Sequence, residues 1–278
     1  MKEKTSRLLT FLYTTPVGNR LLRILVSPAV SKAAGKVMNS RLSLIAVPGF
    51  IKSQNIDVSE FEKTSFSSYN DFFTRKLKPD ARLLAQGDDI LISPCDAKLT
   101  IFPITNDSRF LIKQGQYTVQ SLLRDEKLAK QFEGGILWQL RLSVDDYHRY
   151  IYPVSGRRER IINGVFHTVQ PIAFEHCPVY KENTRKYCII KTKEFGTILM
   201  MEVGAMMVGR ITNHEAEPGY VTRGEEKGYF EFGGSTIILL TQKGAVLPRK
   251  NILYRSARGE ETRIRQGEKI GKVNNNQR

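Results

Sequence analysis

The 278-residue sequence predicts an α+β fold: a β-rich body of antiparallel sheets with helices gathered at the N-terminus. Two textures carry that expectation. Up to Pro79, apolar residues recur at helical spacing; beyond it, short alternating or β-branched runs take over, separated by turn residues. The composition agrees. With 41% hydrophobic and 26% charged residues the chain reads as a folded soluble or peripheral protein, long enough for one large or two modest domains.

Residues 1–45 read as helical. Leu8, Leu9, Phe11 and Leu12 recur at mixed helical spacing, a basic apolar segment follows at 19–26, and Pro28 stands near the start of a second run, 29–38. Basic residues interleaved with leucines make this an interfacial amphipathic anchor, the alternative being a core-packing helix pair with a solvated basic side. Residues 56–78 read as one further helical unit. Ser65, Ser67 and Ser68 are its candidate N-caps, and Tyr69, Phe72, Phe73 and Leu77 form its apolar stripe. Arg75, Lys76 and Lys78 crowd its end, where cations suit the helix dipole.

Strands are expected at 90–92, 98–102, 110–113, 136–142, 160–165, 187–192, 198–203 and 237–240, with 119–131 the one helix among them. The stretch FEFGGSTIILL, 230–240, has the look of a hairpin turning on two glycines. No internal repeat or low-complexity segment interrupts the pattern.

The formal charge is +15 and the isoelectric point about 9.7. The excess lies at the ends: seven basic residues against one acid in 1–37, and nine against three in 249–278. Such a chain seeks anionic partners. The charge permits nucleic acid, but no recognition motif and no base-stacking aromatic stripe accompany it, so nucleic-acid binding is not expected. Cys95, Cys177 and Cys188 show no CxxC spacing; they read as reduced, buried thiols of a cytosolic protein, with no metal site. No secretory signal is apparent, and no apolar run reaches the roughly 18–20 residues that span a bilayer.

Three segments hold chemistry. Residues 142–156, LSVDDYHRYIYPVSG, pack Asp145, Asp146, His148, Arg149 and three tyrosines at the end of an expected strand, as a site or as a polar loop. Asp96, in LISPCDAKL, either orients an imidazole or makes a turn. Ser235 follows two glycines but fits neither a nucleophile elbow nor a phosphate loop. A Gly–Ser bond in a tight turn suits another reaction. The hydroxyl attacks the preceding carbonyl, helped by a base and by glycine's tolerance of strain. The ester formed breaks by β-elimination, and hydrolysis of the resulting dehydroalanine leaves a pyruvoyl group. That carbonyl takes an amino substrate as a Schiff base and acts as the electron sink for decarboxylation.

Taken together, SPCDA (93–97), DYHR (146–149) and GGST (233–236), in this order, resemble the phosphatidylserine decarboxylase family of self-cleaving pyruvoyl enzymes. YNDFFTRKLKP (69–79), HTVQPIA (167–173), MEVGAMMVG (201–209) and KGYFEFGGST (227–236) extend the likeness. It implies a catalytic domain over 66–278, and the basic, amphipathic stretch ahead of it, 1–65, is read as a membrane-associating helical region. It implies cleavage between Gly234 and Ser235 into large and small chains, with Ser235 becoming the pyruvoyl group. Asp96 would be the acid of the self-cleavage triad, and His148 the histidine of decarboxylation. The implied substrate is phosphatidylserine, the product phosphatidylethanolamine, the setting an anionic membrane's cytoplasmic side, and the assembly a homodimer.

The chain departs from the family pattern at two positions. The second histidine of YHRxH is Ile151 here, and Ala97 stands in place of a glycine. Three outcomes follow: His148 serves both steps, His167 stands in as the base, or the chain does not mature and is inactive or acts on another amino substrate. A replacement base, His167, is the expectation taken forward. His176 and His214 are read as structural.

Overall fold

The computed structural model describes residues 15, 17–18, 35–105, 110–112, 115–163, 185–204, 210–214, 217–231 and 235–275. The strands in chain order are β1 (Ile90–Ile92), β2 (Ala97–Pro103), β3 (Phe110–Ile112), β4 (Gly115–Tyr117), β5 (Ile136–Leu142), β6 (Arg149–Ile151), β7 (Gly156–Asn163) and β8 (Arg185–Lys191). They continue as β9 (Thr197–Val203), β10 (Ile211–Asn213), β11 (Gly219–Val221), β12 (Glu226–Phe230), β13 (Ser235–Thr241), β14 (Val246–Pro248), β15 (Thr262–Ile264) and β16 (Lys269–Val273). The helices are α1 (Ala46–Gln54), α2 (Tyr69–Phe73), α3 (Val119–Leu123), α4 (Glu126–Lys130) and α5 (Lys250–Ala257).

Seven of seven residues of β13 are buried. A strand without polar alternation must be covered on both faces. It lies inside an eight-stranded sheet ordered β11-β7-β8-β9-β13-β5-β2-β15, whose pairs are all antiparallel. Two three-stranded sheets, β10-β12-β6 and β1-β16-β14, face one side of it. Leu140, Ile237, Leu239 and Met200 from the large sheet meet Tyr150, Phe230, Leu91 and Ile270 from the small ones in that inner core. On the other side, Ile238, Leu240 and Leu199 pack against Val119, Leu122 and Leu128 of α3 and α4. The α+β expectation therefore holds, with antiparallel sheets as its body.

Four expectations are corrected. Residues 56–78 are not one helix. A 3-10 turn at Val58–Glu60 and the five residues of α2 are separated by extended chain, and Phe61 bridges Leu77 in antiparallel fashion. Ser68 does cap α2, accepting the amide of Asp71 at 3.1 Å, and Tyr69, Phe72 and Phe73 are buried as expected. Arg75, Lys76 and Lys78 lie beyond the helix. Second, residues 119–131 split. Arg124 takes a left-handed φ of 53° and Asp125 recaps the chain by accepting the amide of Leu128 at 3.0 Å. Third, α5 is a helix that periodicity does not reveal, because Ile252 is its one buried residue. Fourth, 230–240 is not a hairpin: β12 pairs with β10 and β6, whereas β13 pairs with β5 and β9. The connection crosses from one sheet to another.

Rings from both sides of position 65 share one aromatic cluster. Phe50 meets Tyr69 edge-on at 5.6 Å and Phe72 at 6.0 Å. Of the N-terminal helices expected, those before residue 35 lie outside the described residues, apart from a short turn at 17–18. No helix among the described residues is long and apolar enough to cross a membrane.

Candidate active site

Backbone register brings the three motifs together. β5 leaves the large sheet at Leu142 and the chain enters the small sheet at Arg149. β12 leaves the small sheet at Phe230 and β13 enters the large one at Ser235. The two crossings lie side by side, for Ser235 is the register partner of Leu142 and the Phe230 amide donates to the His148 carbonyl at 2.9 Å. The SPCDA loop joins them: the Ile151 amide donates to the Pro94 carbonyl at 2.9 Å, and the Gln266 side chain bridges the carbonyls of Pro94 and Arg149.

Ser235 is buried and shares strand parity with Ile237 and Leu239, so it faces the inner core. His148 is fully buried. Its Nδ1 lies 2.8 Å from the Asp146 carbonyl, an acceptor, so Nδ1 donates and the neutral ring keeps its lone pair at Nε2. That Nε2 is buried with no partner among the described residues. The ring tilts against Phe73 with centroids 4.0 Å apart. Burial, and beyond it the Arg75 guanidinium, holds the imidazole down at about 3, so it is neutral at physiological pH.

The carboxylate of Asp96 does not meet His148. It takes two hydrogen bonds from Arg82 Nε, at 2.9 and 3.1 Å, one from Arg82 Nη2 at 2.6 Å, and one from the Gln266 amide at 2.8 Å. Arg82 also binds Glu60 at 2.9 Å. What orients the imidazole is instead the main chain of the DYHR turn, and Ile151, buried on β6, occupies the place beside the SPCDA loop.

Asp146 does more than lend its carbonyl. Its Oδ2 accepts the Ser143 amide at 2.7 Å, closing the end of β5 one residue past the partner of Ser235. Burial pushes its carboxyl up to about 6, with the charges of Asp145 and Asp96 adding to the rise and the Ser143 amide opposing it. Asp96 and Asp146 line one cleft of about 200 Å³ with Arg75, Arg82, Tyr147 and Arg263.

The sequence reading passed over a buried polar chain that ties the sheets together behind the site. Lys227 of β12 meets Glu202 of β9 at 2.7 Å, with side chains 1% and 0% exposed. Asn213 reaches Glu202 at 3.4 Å and accepts from the Tyr150 hydroxyl at 2.7 Å. Both charged residues lie in stretches quoted above for the family likeness, which was the available signal. His214 Nε2 lies in hydrogen-bond contact with the Glu226 carboxylate. Gly234, His167, His176 and Cys177 lie outside the described residues, whereas Cys95 and Cys188 are buried free thiols.

The profile of the phosphatidylserine decarboxylase family matches residues 69–272. Among known proteins the chain is 42% identical to phosphatidylserine decarboxylase proenzyme 2 of Clostridium acetobutylicum, over 96% of this chain and 92% of that protein. It is 39% identical to the phosphatidylserine decarboxylase proenzyme of Clostridium tetani, over 96% and 92% of the two chains. To the proenzyme of Chlamydia felis it is 38% identical, over 97% and 92%. On the ordered motifs, their convergence and these matches, the chain belongs to the phosphatidylserine decarboxylase family.

Proposed function

We propose that this chain decarboxylates phosphatidylserine to phosphatidylethanolamine, using a pyruvoyl group that it makes from Ser235 by cleaving its own Gly234–Ser235 bond. The observation that carries the reading is a buried serine and a buried imidazole nitrogen, the latter without a hydrogen-bond partner among the described residues, on adjacent sheet crossings. The relatives' shared name, proenzyme, supports a precursor that must be processed. The residues present fit a serine-derived carbonyl: Ser235 faces a dry core, and His148 offers a lone pair whose tautomer the main chain sets.

In maturation, His148 Nε2 takes the Ser235 hydroxyl proton as Oγ adds to the Gly234 carbonyl, then returns it to the departing nitrogen. His148 thus serves in place of the histidine replaced by Ile151. A pyruvoyl group at 235 supplies the carbonyl that engages the substrate's amine and accepts the electron pair released with CO2. In turnover the same Nε2 would take a proton that the substrate's ammonium gives up on joining the carbonyl and hand it to the carbon that loses CO2, and the burial of the ring excludes water from the exchange. Asp96 holds Arg82 and the Gln266 amide, locking the SPCDA loop to the segment that follows β15.

The protein reaches its lipid as a peripheral protein on the anionic, cytoplasmic face of the cell membrane. Leu42 and Ile45 are 79% and 84% exposed, beside the exposed Arg41 and Lys52. Each basic residue near an anionic surface contributes about 1 kcal/mol.

Intact-mass analysis of purified protein tests the reading. The expected result is two fragments split at 234–235, the smaller blocked at its N-terminus. Ser235→Ala gives one 31.7 kDa chain without activity. His148→Ala stops cleavage as well, and His167→Ala leaves it intact. A single chain from wild type after long incubation defeats the proposal; loss of cleavage in His167→Ala transfers the base role to His167.

A further inference from the structure

We propose that Arg75 is the receptor for the phosphodiester oxyanion of the substrate headgroup, in the cleft that the segment after α2 and the 145–147 loop line together. The inference rests on the decarboxylase reading and names the contact that anchors its substrate.

Arg75 follows α2 and is 4% exposed, yet it lines the cleft. Its guanidinium lies over Phe61 and Phe72, 4.8 and 5.1 Å from the ring centroids, which fix its plane. Its Nε and Nη1 have no hydrogen-bond partner among the described residues. The other arginines of the cleft are all matched. Arg82 pairs with Asp96 and Glu60, Arg263 faces Asp145 at 3.6 Å and Asp146 at 3.8 Å, and Arg265 faces Glu60 at 3.5 Å. Arg75 has no carboxylate within salt-bridge distance among the described residues. Burial lowers its pKa only to about 10, so it remains a cation at neutral pH. A buried, oriented, unmatched guanidinium is complementary to an oxyanion.

The position suits the chemistry. Tyr147 and Asp146, immediately before His148, line the same cleft, and Phe73, two residues ahead of Arg75, packs on the His148 ring. An anion on Arg75 therefore stands beside the proposed base. Of the two oxyanions of phosphatidylserine, the phosphodiester is the one that persists. The carboxylate must leave as CO2, and a buried cation upon it would stabilise the ground state against that departure.

Calorimetric titration of the full chain with two soluble probes separates the sources. Glycerophosphoethanolamine carries the phosphodiester without a carboxylate; serine carries the carboxylate without a phosphate. Wild type is expected to bind the first, and Arg75→Met to weaken that binding by at least about tenfold. Arg75→Lys keeps the charge but not the planar fork, so it retains an intermediate affinity and an unchanged Tm, and it decides the matter if Arg75→Met fails to fold. In mixed micelles Arg75→Lys raises KM for phosphatidylserine while kcat holds, a split that a purely structural role does not produce. Unchanged diester binding in both variants overturns the proposal, as does loss of serine binding alone. Diester binding by wild type without CO2 release from phosphatidylserine defeats the decarboxylase reading and leaves the Arg75 site standing.

Discussion

The lone pair of His148 Nε2 exists because a main-chain carbonyl, rather than a carboxylate, takes the other nitrogen's proton. A carboxylate in that place would raise the imidazole's pKa; burial without one keeps the ring neutral. Position 151 is the natural place to test the processing machinery. Ile151→His puts a second imidazole beside the SPCDA loop and is expected to speed cleavage in a time course of fragment appearance. Burying its polar ring costs about 1–3 kcal/mol in denaturant melts. Asp146 makes a pH prediction. Its folded pKa, about 6, lies above its unfolded value of 3.8, so the native state holds the extra proton between them. Its ionisation therefore opposes folding above about pH 6 and has no effect below about pH 4. Asp146→Asn, which keeps an acceptor for the Ser143 amide, should stabilise the fold at pH 7.5 by on the order of 2 kcal/mol and leave it unchanged at pH 4. The opposite titration of His148 is common to both proteins and cancels in the comparison.

Among the elements, β13 and β12 divide the work of placing the serine. β13 is paired along its length with β5 and β9, and β12 is held to the large sheet by Lys227 and Glu202 across the inner core. If Lys227 is cut to Met, Glu202 is left buried and uncompensated, at a cost of about 3–5 kcal/mol. The double variant Lys227→Met with Glu202→Leu should recover most of that loss, because an apolar pair needs no desolvation of charge. Urea unfolding of the two variants measures it; equal loss in both would mean the pair does not act as a unit. The long strands of the large sheet were legible because buried antiparallel strands carry β-branched residues at period two or in continuous runs, whereas short strands such as β6, β10 and β14 were not, because three residues show no period. The short α2 and the break at Arg124 were not, because capping by Ser68 and Asp125 overrides an apolar spacing that continues past them.

For the whole molecule, a cut at 234–235, as proposed, would leave the small chain woven into the sheets. β13 stays inside the large sheet, β15 stays on β2, and β14 and β16 stay with β1. The mature chains should therefore stay together. The exposed apolar residues near α1 are open to another test at this scale. Leu42→Ser with Ile45→Ser should lower co-sedimentation with phosphatidylglycerol vesicles several-fold, while turnover of soluble substrate persists. Raising salt should weaken wild-type binding as it screens the basic residues nearby. Unchanged sedimentation would move the docking surface elsewhere.

The linear order of residues determined the chemistry on offer: a serine behind two glycines, an aspartate in SPCDA, a histidine in DYHR, and the isoleucine that breaks the pattern. Residue identity and near-neighbour spacing are local properties, and so are strand alternation and the contrast between the helical N-terminus and the β-rich body. Pairing is not local. That β13 sits between β5 and β9 rather than folding back on β12, that Asp96 binds Arg82 rather than His148, and that Arg75 is buried with no carboxylate partner among the described residues depend on residues well separated along the chain. Only the closed core, where every strand must cover its apolar faces at once, selects those partners.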